Sequence, residues 1–329
     1  MRHRSCPAVL FVTLLAACGG DSTIDNPALP DSGGGLPTVP AFSVTSKEVT
    51  IDPGQEITYC YYFRTPNTEP VAVHRWTSSM TPGSHHMIMF TTRTDVKPPG
   101  TIDSINCGFG GDVQNMPSWT YATQVPEDTL ALPTDDGTGK PLAQLIPPNT
   151  PAFFQMHYLN ATDQPLTVSV TVSAEALAPE LEYTATAPYI TYNADITIPG
   201  ETINMTFSKT CDTPANATFW MMSTHAHKRA RKTVVKNGMP TSTKIAFEST
   251  DWEHPGAKAW MATPFYTFDG DKLTYECTYD NPSTKTIYDG DSAEINEMCM
   301  ATGYYFVPGR TTLPPALCYC PSGINCILL

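Results

Sequence analysis

Proline and glycine interrupt this chain so often, 31 and 21 times in 329 residues, that few kinds of element fit between the interruptions. A proline inside a helix removes a backbone donor and clashes with the preceding turn, whereas short strands accept proline at their ends, edges and bulges. The segments between turn signals such as Asp52-Pro53-Gly54 and Thr65-Pro66-Asn67 alternate in the manner of strands. In Ile57-Thr58-Tyr59-Cys60-Tyr61-Tyr62-Phe63 the odd positions are apolar or aromatic, as a sheet with a buried face requires. Further strands are expected at Met87–Thr92, Ala152–Leu159, Leu166–Ala174, Ala217–Thr224, Lys244–Glu248, Leu273–Tyr279 and Ala301–Val307. No stretch carries a capped helical period, so the expected class is all-β. The alternation lapses around Ala176 to Thr184, which divides the chain into two antiparallel β-sandwich domains, 47–179 and 180–329.

Residues 1–18 read as a lipoprotein signal peptide. Arg2 and Arg4 precede a short apolar run, and Leu15-Ala16-Ala17-Cys18 resembles the bacterial lipobox, whose cysteine takes the lipid. The Gly/Pro/Ser-rich stretch 19–46 reads as a flexible tether. No other apolar run reaches spanning length, so the expected location is the bacterial cell envelope, on a membrane surface through the lipid at Cys18. A formal net charge of −13 opposes a phosphate backbone and argues against nucleic acid as a partner.

Of ten cysteines, Cys6 lies in the leader and Cys18 is the expected lipid site. The remainder, Cys60, Cys107, Cys211, Cys277, Cys299, Cys318, Cys320 and Cys326, are even in number in an exported chain, which favours disulfides over thiolate ligands. Spacing alone leaves on the order of a hundred connectivities open.

The eight histidines are the most informative residues for function. His85-His86 are adjacent, His157 sits in Gln155-Met156-His157-Tyr158, and His225-Ala226-His227 ends an apolar strand. Residues i and i+2 of a strand share a face, so His225 and His227 can grip one ion without distorting the backbone. His85 and His86 point to opposite faces and can share an ion only if the strand bulges or the two rings bind through different nitrogens. His74 and His254 stand alone and read as hydrogen-bonded structural residues. No HExxH motif, carboxylate set or spare thiolate pair accompanies the histidines, so zinc hydrolysis and calcium binding lack their partners. Imidazole with a soft thioether suits copper, and Met298 in Asn296-Glu297-Met298-Cys299-Met300 is the candidate thioether.

Thr81-Pro82-Gly83-Ser84-His85-His86-Met87, Gln155-Met156-His157-Tyr158, Ser223-Thr224-His225-Ala226-His227 and Glu297-Met298-Cys299, followed by Gly303-Tyr304-Tyr305-Phe306, resemble in order and spacing the copper type II, ascorbate-dependent monooxygenases. That family includes the dopamine β- and peptidylglycine α-hydroxylating enzymes. The resemblance runs from about Glu48 to Cys318. It implies two jelly-roll-like sandwiches facing each other across a solvent-filled cleft, with one copper on each. His85, His86 and His157 would hold the electron-transfer copper; His225, His227 and Met298 would hold the one that binds O2 and carries the catalysis. It also implies disulfides Cys60–Cys107, Cys211–Cys318 and Cys277–Cys299, leaving Cys320 and Cys326 to pair by elimination. The expected activity is hydroxylation of a C–H bond of a small organic substrate with O2 and a reductant such as ascorbate.

The chain departs from the family where substrate is read. Peptide-amidating members hold the substrate carboxylate with an arginine two residues before the HxH and a tyrosine four residues after the methionine; here Ser223 and Thr302 occupy those positions. Lys228-Arg229-Ala230-Arg231-Lys232 reads either as an anion-attracting patch or as a solvated strand face. The same ligands would also serve a non-catalytic lipoprotein that captures or delivers copper, and a surface-anchored interaction module with vestigial sites is the plainest alternative.

Overall fold

A computed structural model describes residues 35–105, 107 and 115–329, with the backbone but not the side chain of His85. The expected leader, the lipid site Cys18 and the tether up to residue 34 lie outside the described residues. Within them the chain is strand after strand; no described helix is long and apolar enough to cross a membrane.

Three sheets carry the architecture. A long sheet of eleven strands runs from Thr38–Thr45 through Val170–Leu177, Val71–Met80 and Leu142–Ile146. It continues into Thr184–Ala194, Cys299–Phe306, Thr218–Ala226 and Lys258–Ala259. A five-stranded sheet is ordered Ile102–Asp103, Glu56–Arg64, Pro151–Leu159, Ser84–Thr91, Ser118–Thr123, and a four-stranded sheet Thr202–Asp212, Lys272–Asn281, Ala230–Asn237, Ile245–Ser249. The first half of the long sheet packs on the five-stranded sheet around Val73, Trp76, Val172, Met87, Met89, Phe154 and Met156. The second half packs on the four-stranded sheet around Tyr189, Phe219, Met222, Val235, Tyr275 and Tyr279. Each pair is a β-sandwich whose inward residues alternate along the strand, as the two-residue period dictates.

The two halves share more than a linker. The long sheet crosses the expected boundary, because Leu142–Ile146 pairs in parallel with Thr184–Ala194, Leu142 opposite Thr184 and Ala143 opposite Ala185. A third apolar core joins the outer face of the five-stranded sheet to the second half of the long sheet, with Tyr62, Ile88, Phe90 and Phe153 against Ile190, Met298, Met300 and Leu317. Beside these packed side chains a cavity remains between the halves, where the resemblance implies a cleft.

Most expected strands form within a residue or two of their predicted bounds. Ala152–Leu159 is Pro151–Leu159, Ala217–Thr224 is Thr218–Ala226, and Leu273–Tyr279 is Lys272–Asn281. Leu166–Ala174 is two strands, Leu166–Val168 and Val170–Leu177, because Ser169 leaves the ladder: its N–H donates to Thr81 Oγ1 at 3.0 Å. The tether expected to reach residue 46 ends earlier, since Thr38–Thr45 is an edge strand on Val170–Leu177. Its register shifts between Pro40 and Phe42, the kind of place where an edge accepts proline, and the Phe42 ring packs edge-on against Trp76 at 5.9 Å.

Among the described residues four disulfides close the structure: Cys60–Cys107, Cys211–Cys318, Cys277–Cys299 and Cys320–Cys326. These are the pairings implied by the family resemblance, together with the pair left by elimination.

Candidate metal centre

One parity rule places the candidate ligands. Along Ser84–Thr91, Met87 and Met89 point into the first sandwich while Ile88 and Phe90 belong to the core between the halves, so His86 takes the inter-half face. Along Pro151–Leu159, Phe154, Met156 and Tyr158 enter the sandwich and Phe153 the inter-half core, which puts His157 on that face too. His86 and His157 are register partners on adjacent strands, with ring centroids 5.0 Å apart. The register then moves from His157–His86 to Tyr158–Ser84, so residue 85 is the extra residue of a β-bulge. This is the backbone irregularity that adjacent histidines need if they are to share an ion.

On the other half, Met222 and Ala226 enter the second sandwich, leaving Ser223 and His225 on the opposite face. The rings of His225 and His227 lie 5.4 Å apart and nearly perpendicular, at 88°. Ala226 pairs with Cys299, so Met298 follows on beside His227. Cys299 faces the second sandwich and Met298 the inter-half core, again by alternation. His86, His157, His225, His227 and Met298 all line one cavity of about 720 Å³, the size of a small-molecule site.

The electrostatics favour neutral imidazoles. Burial, reinforced by the neighbouring His157, pushes His225 down to about 4. Burial and then His225 push His227 down to about 3, against the opposing pull of the Asn296 carbonyl. His157 acts on both, so the two sets of imidazoles are electrostatic neighbours across the cavity. His227 Nδ1 lies 3.2 Å from the Asn296 carbonyl oxygen; donating there fixes the proton on Nδ1 and leaves the Nε2 lone pair for a metal. Two neutral imidazoles beside a thioether make a donor set that fits copper.

Glu56 and Trp119 at the site were not expected from the sequence, and Glu297 was expected only as a member of the Glu297-Met298-Cys299 motif. Glu56 Oε1 lies 2.9 Å from His157 Nε2, a carboxylate–imidazole pairing of the type that orients metal-binding histidines. The Trp119 ring meets His225 edge-on at 5.7 Å, bringing the first half of the chain against the second half's histidines. The buried Glu297 carboxylate, pushed up to about 7 by burial against the pull of Arg229 and of the backbone at 227 and 229, accepts from the His227 and Arg229 N–H groups. The Glu56 contact spans 101 residues, and no local sequence signal announces it.

Other sequence candidates resolve as structure. His74 is buried with Nδ1 2.7 Å from the Leu142 carbonyl, and burial lowers its pKa. Arg229, Arg231 and Lys232 of the basic run pair with Glu297, Asp280 and Glu248, which favours the strand-face reading over anion capture. The sulfurs of Cys211, Cys318, Cys320 and Cys326 lie within 4.8 Å of one another, but two disulfides consume all four, so they offer no thiolate. Cys18 and the His85 side chain lie outside what the structure describes.

Residues 186–326 match the family described as copper type II ascorbate-dependent monooxygenase, C-terminal domain. No curated protein matches the sequence. Among solved structures, the major capsid protein P2 from bacteriophage PM2 is 6% identical, covering 82% of this chain and 100% of that one at a TM-score of 0.33. Broad Bean Stain Virus protein is 9% identical over 94% and 99%, at 0.29. Scores this low bear on neither fold nor function.

Proposed function

We propose, from the match of residues 186–326 to the copper type II ascorbate-dependent monooxygenase C-terminal domain family, that the whole chain is a two-copper monooxygenase. It hydroxylates a C–H bond of a small organic substrate with O2 and a one-electron reductant such as ascorbate. The observation that carries this reading is the convergence of His86, His157, His225, His227 and Met298 on one cavity from strands that lie far apart in sequence. His85, His86 and His157 would hold one copper, and His225, His227 and Met298 the other. Copper bound there would supply the redox chemistry, one electron from each ion, with the thioether favouring the Cu(I) state. The protein's own residues set donor geometry and access. Asn296 fixes the His227 tautomer, Glu56 braces His157, and the Trp119 ring meets His225 from the opposite half.

The described wall of the cavity includes Glu56, Asp128, Glu253, Asp291 and Glu294 and neither lysine nor arginine. With Ser223 and Thr302 standing where a carboxylate clamp would be, this supports a neutral or cationic substrate over an anionic one. The sequence of the leader supports a lipid anchor at Cys18, tested by fatty-acid labelling that should vanish in C18A.

Anaerobic reduction with ascorbate, followed by labelled O2 and candidate substrates, tests the activity. Product should carry one oxygen from O2, and Met298→Ala should abolish turnover while copper stays on the all-histidine site. Copper binding with no labelled product from any substrate would favour capture or delivery of copper instead, and normal turnover by M298A would remove the oxygen site from where it is assigned.

A further inference from the structure

We propose that Glu297 is a positioning residue that fixes the Met298 thioether against the His225/His227 pair, with Arg229 as its counter-charge; the inference rests on the copper reading above. Glu297 is wholly buried, and burying a carboxylate is costly unless its oxygens are fully used. Here they are used on the segment that carries the histidines. Oε2 accepts from the His227 N–H at 3.1 Å and Oε1 from the Arg229 N–H at 2.9 Å, while Arg229 Nη1 reaches Oε1 at 3.4 Å. The other arm of the same guanidinium donates to the Glu294 carbonyl at 2.9 Å, and His227 Nδ1 faces the Asn296 carbonyl. Segments 227–229 and 294–297, some seventy residues apart in sequence, are thus joined by five polar contacts, every donor on the first segment and every acceptor on the second.

Met298 sits where this clamp ends. Its own carbonyl accepts from the Tyr279 hydroxyl at 2.7 Å, and the next residue is tied to the four-stranded sheet by Cys277–Cys299. The methionine backbone is therefore held on both sides: by the disulfide and Tyr279 toward the second sandwich, and by Glu297 toward the histidines. Methionine is long and unbranched, with three rotatable bonds, so a thioether ligand has a defined place only if its backbone does. A carboxylate suits this position for a specific reason. It presents two acceptor oxygens to two backbone donors, whereas glutamine presents one oxygen and an NH2 group that would face an N–H.

The test uses the full chain loaded with Cu(I), comparing wild type, Glu297→Gln and Arg229→Lys. The readouts are Cu(I) affinity by competition with a chelator and the copper–sulfur contribution to the X-ray absorption spectrum. In wild type a sulfur contribution is expected. In E297Q it should be lost or weakened, with affinity at one of the two sites reduced about 10- to 100-fold, the range for losing a group that orients a ligand. The all-histidine site should stay loaded. R229K keeps the charge but not the fork that reaches both Glu297 and Glu294, so it should shift the same two readouts in the same direction by less; it carries the test if E297Q does not fold. An unchanged sulfur signal and affinity in the folded variants overturns the clamp while leaving the copper reading intact, and so does equal loss at both sites, which marks general destabilisation. A wild-type chain that binds copper without a sulfur contribution overturns both.

Discussion

His227 is held by both its backbone and its ring: the N–H donates to Glu297 and Nδ1 faces the Asn296 carbonyl. Held this way and buried, it can ligate only as the neutral ring, and the same is true of His225. In an unfolded chain these rings take up protons near pH 6.5, but in the folded, metal-free chain they do so only at about 4 and about 3. The unfolded state therefore binds more protons between those limits, so stability is fully present above pH 6.5 and is lost as pH falls toward the folded values. For His225 alone the loss is on the order of 3 kcal/mol by pH 4. The chelator-treated protein should melt several degrees lower at pH 5 than at pH 7, and H225Q should flatten that dependence. A melting temperature indifferent to pH over this range would mean that the rings are not buried as described. His74, buried against the Leu142 carbonyl, adds to the slope with the same sign. The histidine identities were legible because HxH and HH are local patterns. Glu56 and Trp119 were not, because their significance lies wholly in the partner each meets across the fold.

At the level of the strand, alternation does most of the positioning. Ile88, Phe90 and Phe153 hold the inter-half face while their neighbours Met87, Met89 and Phe154 fill the first sandwich; His86 and His157 ride on the same parity as the former. Buried on both faces, these strands read as nearly continuous apolar runs, which explains why sequence could mark Pro151–Leu159 as a strand without saying which face met which core. The run Thr184–Ala194 is buried from Thr184 to Thr191, with Tyr192 and Ala194 half-buried, and with no exposed face to alternate against it does not stand among the strands expected from the sequence. Edge strand Thr38–Thr45 was hidden in a different way, as a proline-interrupted segment at the end of a Gly/Pro/Ser-rich stretch that only pairing makes regular. The two-core arrangement predicts a large cost for truncation on the inter-half face. Phe153→Ala, removing a ring that stacks on Phe90 at 5.0 Å and lies against Tyr62 at 5.3 Å, should destabilise by about 3–5 kcal/mol. Leu159→Ala, on the exposed end of the same strand, should change stability by no more than about 0.5 kcal/mol. Denaturant melts of the two variants check this, and similar midpoints would mean that the third core contributes little.

Across the whole molecule, the halves that the sequence separates near residue 180 behave as one body in their packing. The long sheet passes between them at Leu142–Thr184, Trp220, Tyr304 and Phe306 from the second half join the first half's core, and Tyr304 donates its hydroxyl to the Thr120 carbonyl at 3.0 Å. A boundary drawn from sequence marks where alternation lapses, but it carries no information about a parallel pairing or about which outer faces are apolar enough to meet. Residues 180–329 expressed alone would expose Ile190, Met298, Met300 and Leu317 of the third core together, a contiguous apolar face of the sort that drives association. The full chain, by contrast, should unfold in a single cooperative transition, because the first sandwich's core includes Trp220, Tyr304 and Phe306 and the third core is shared by both halves. Calorimetry of the full chain and size-exclusion of the 180–329 fragment test the two sides of this argument. Two well-separated calorimetric transitions together with a monomeric, folded fragment would mean that the halves are independent domains, and that the two imidazole sets share a cavity only transiently.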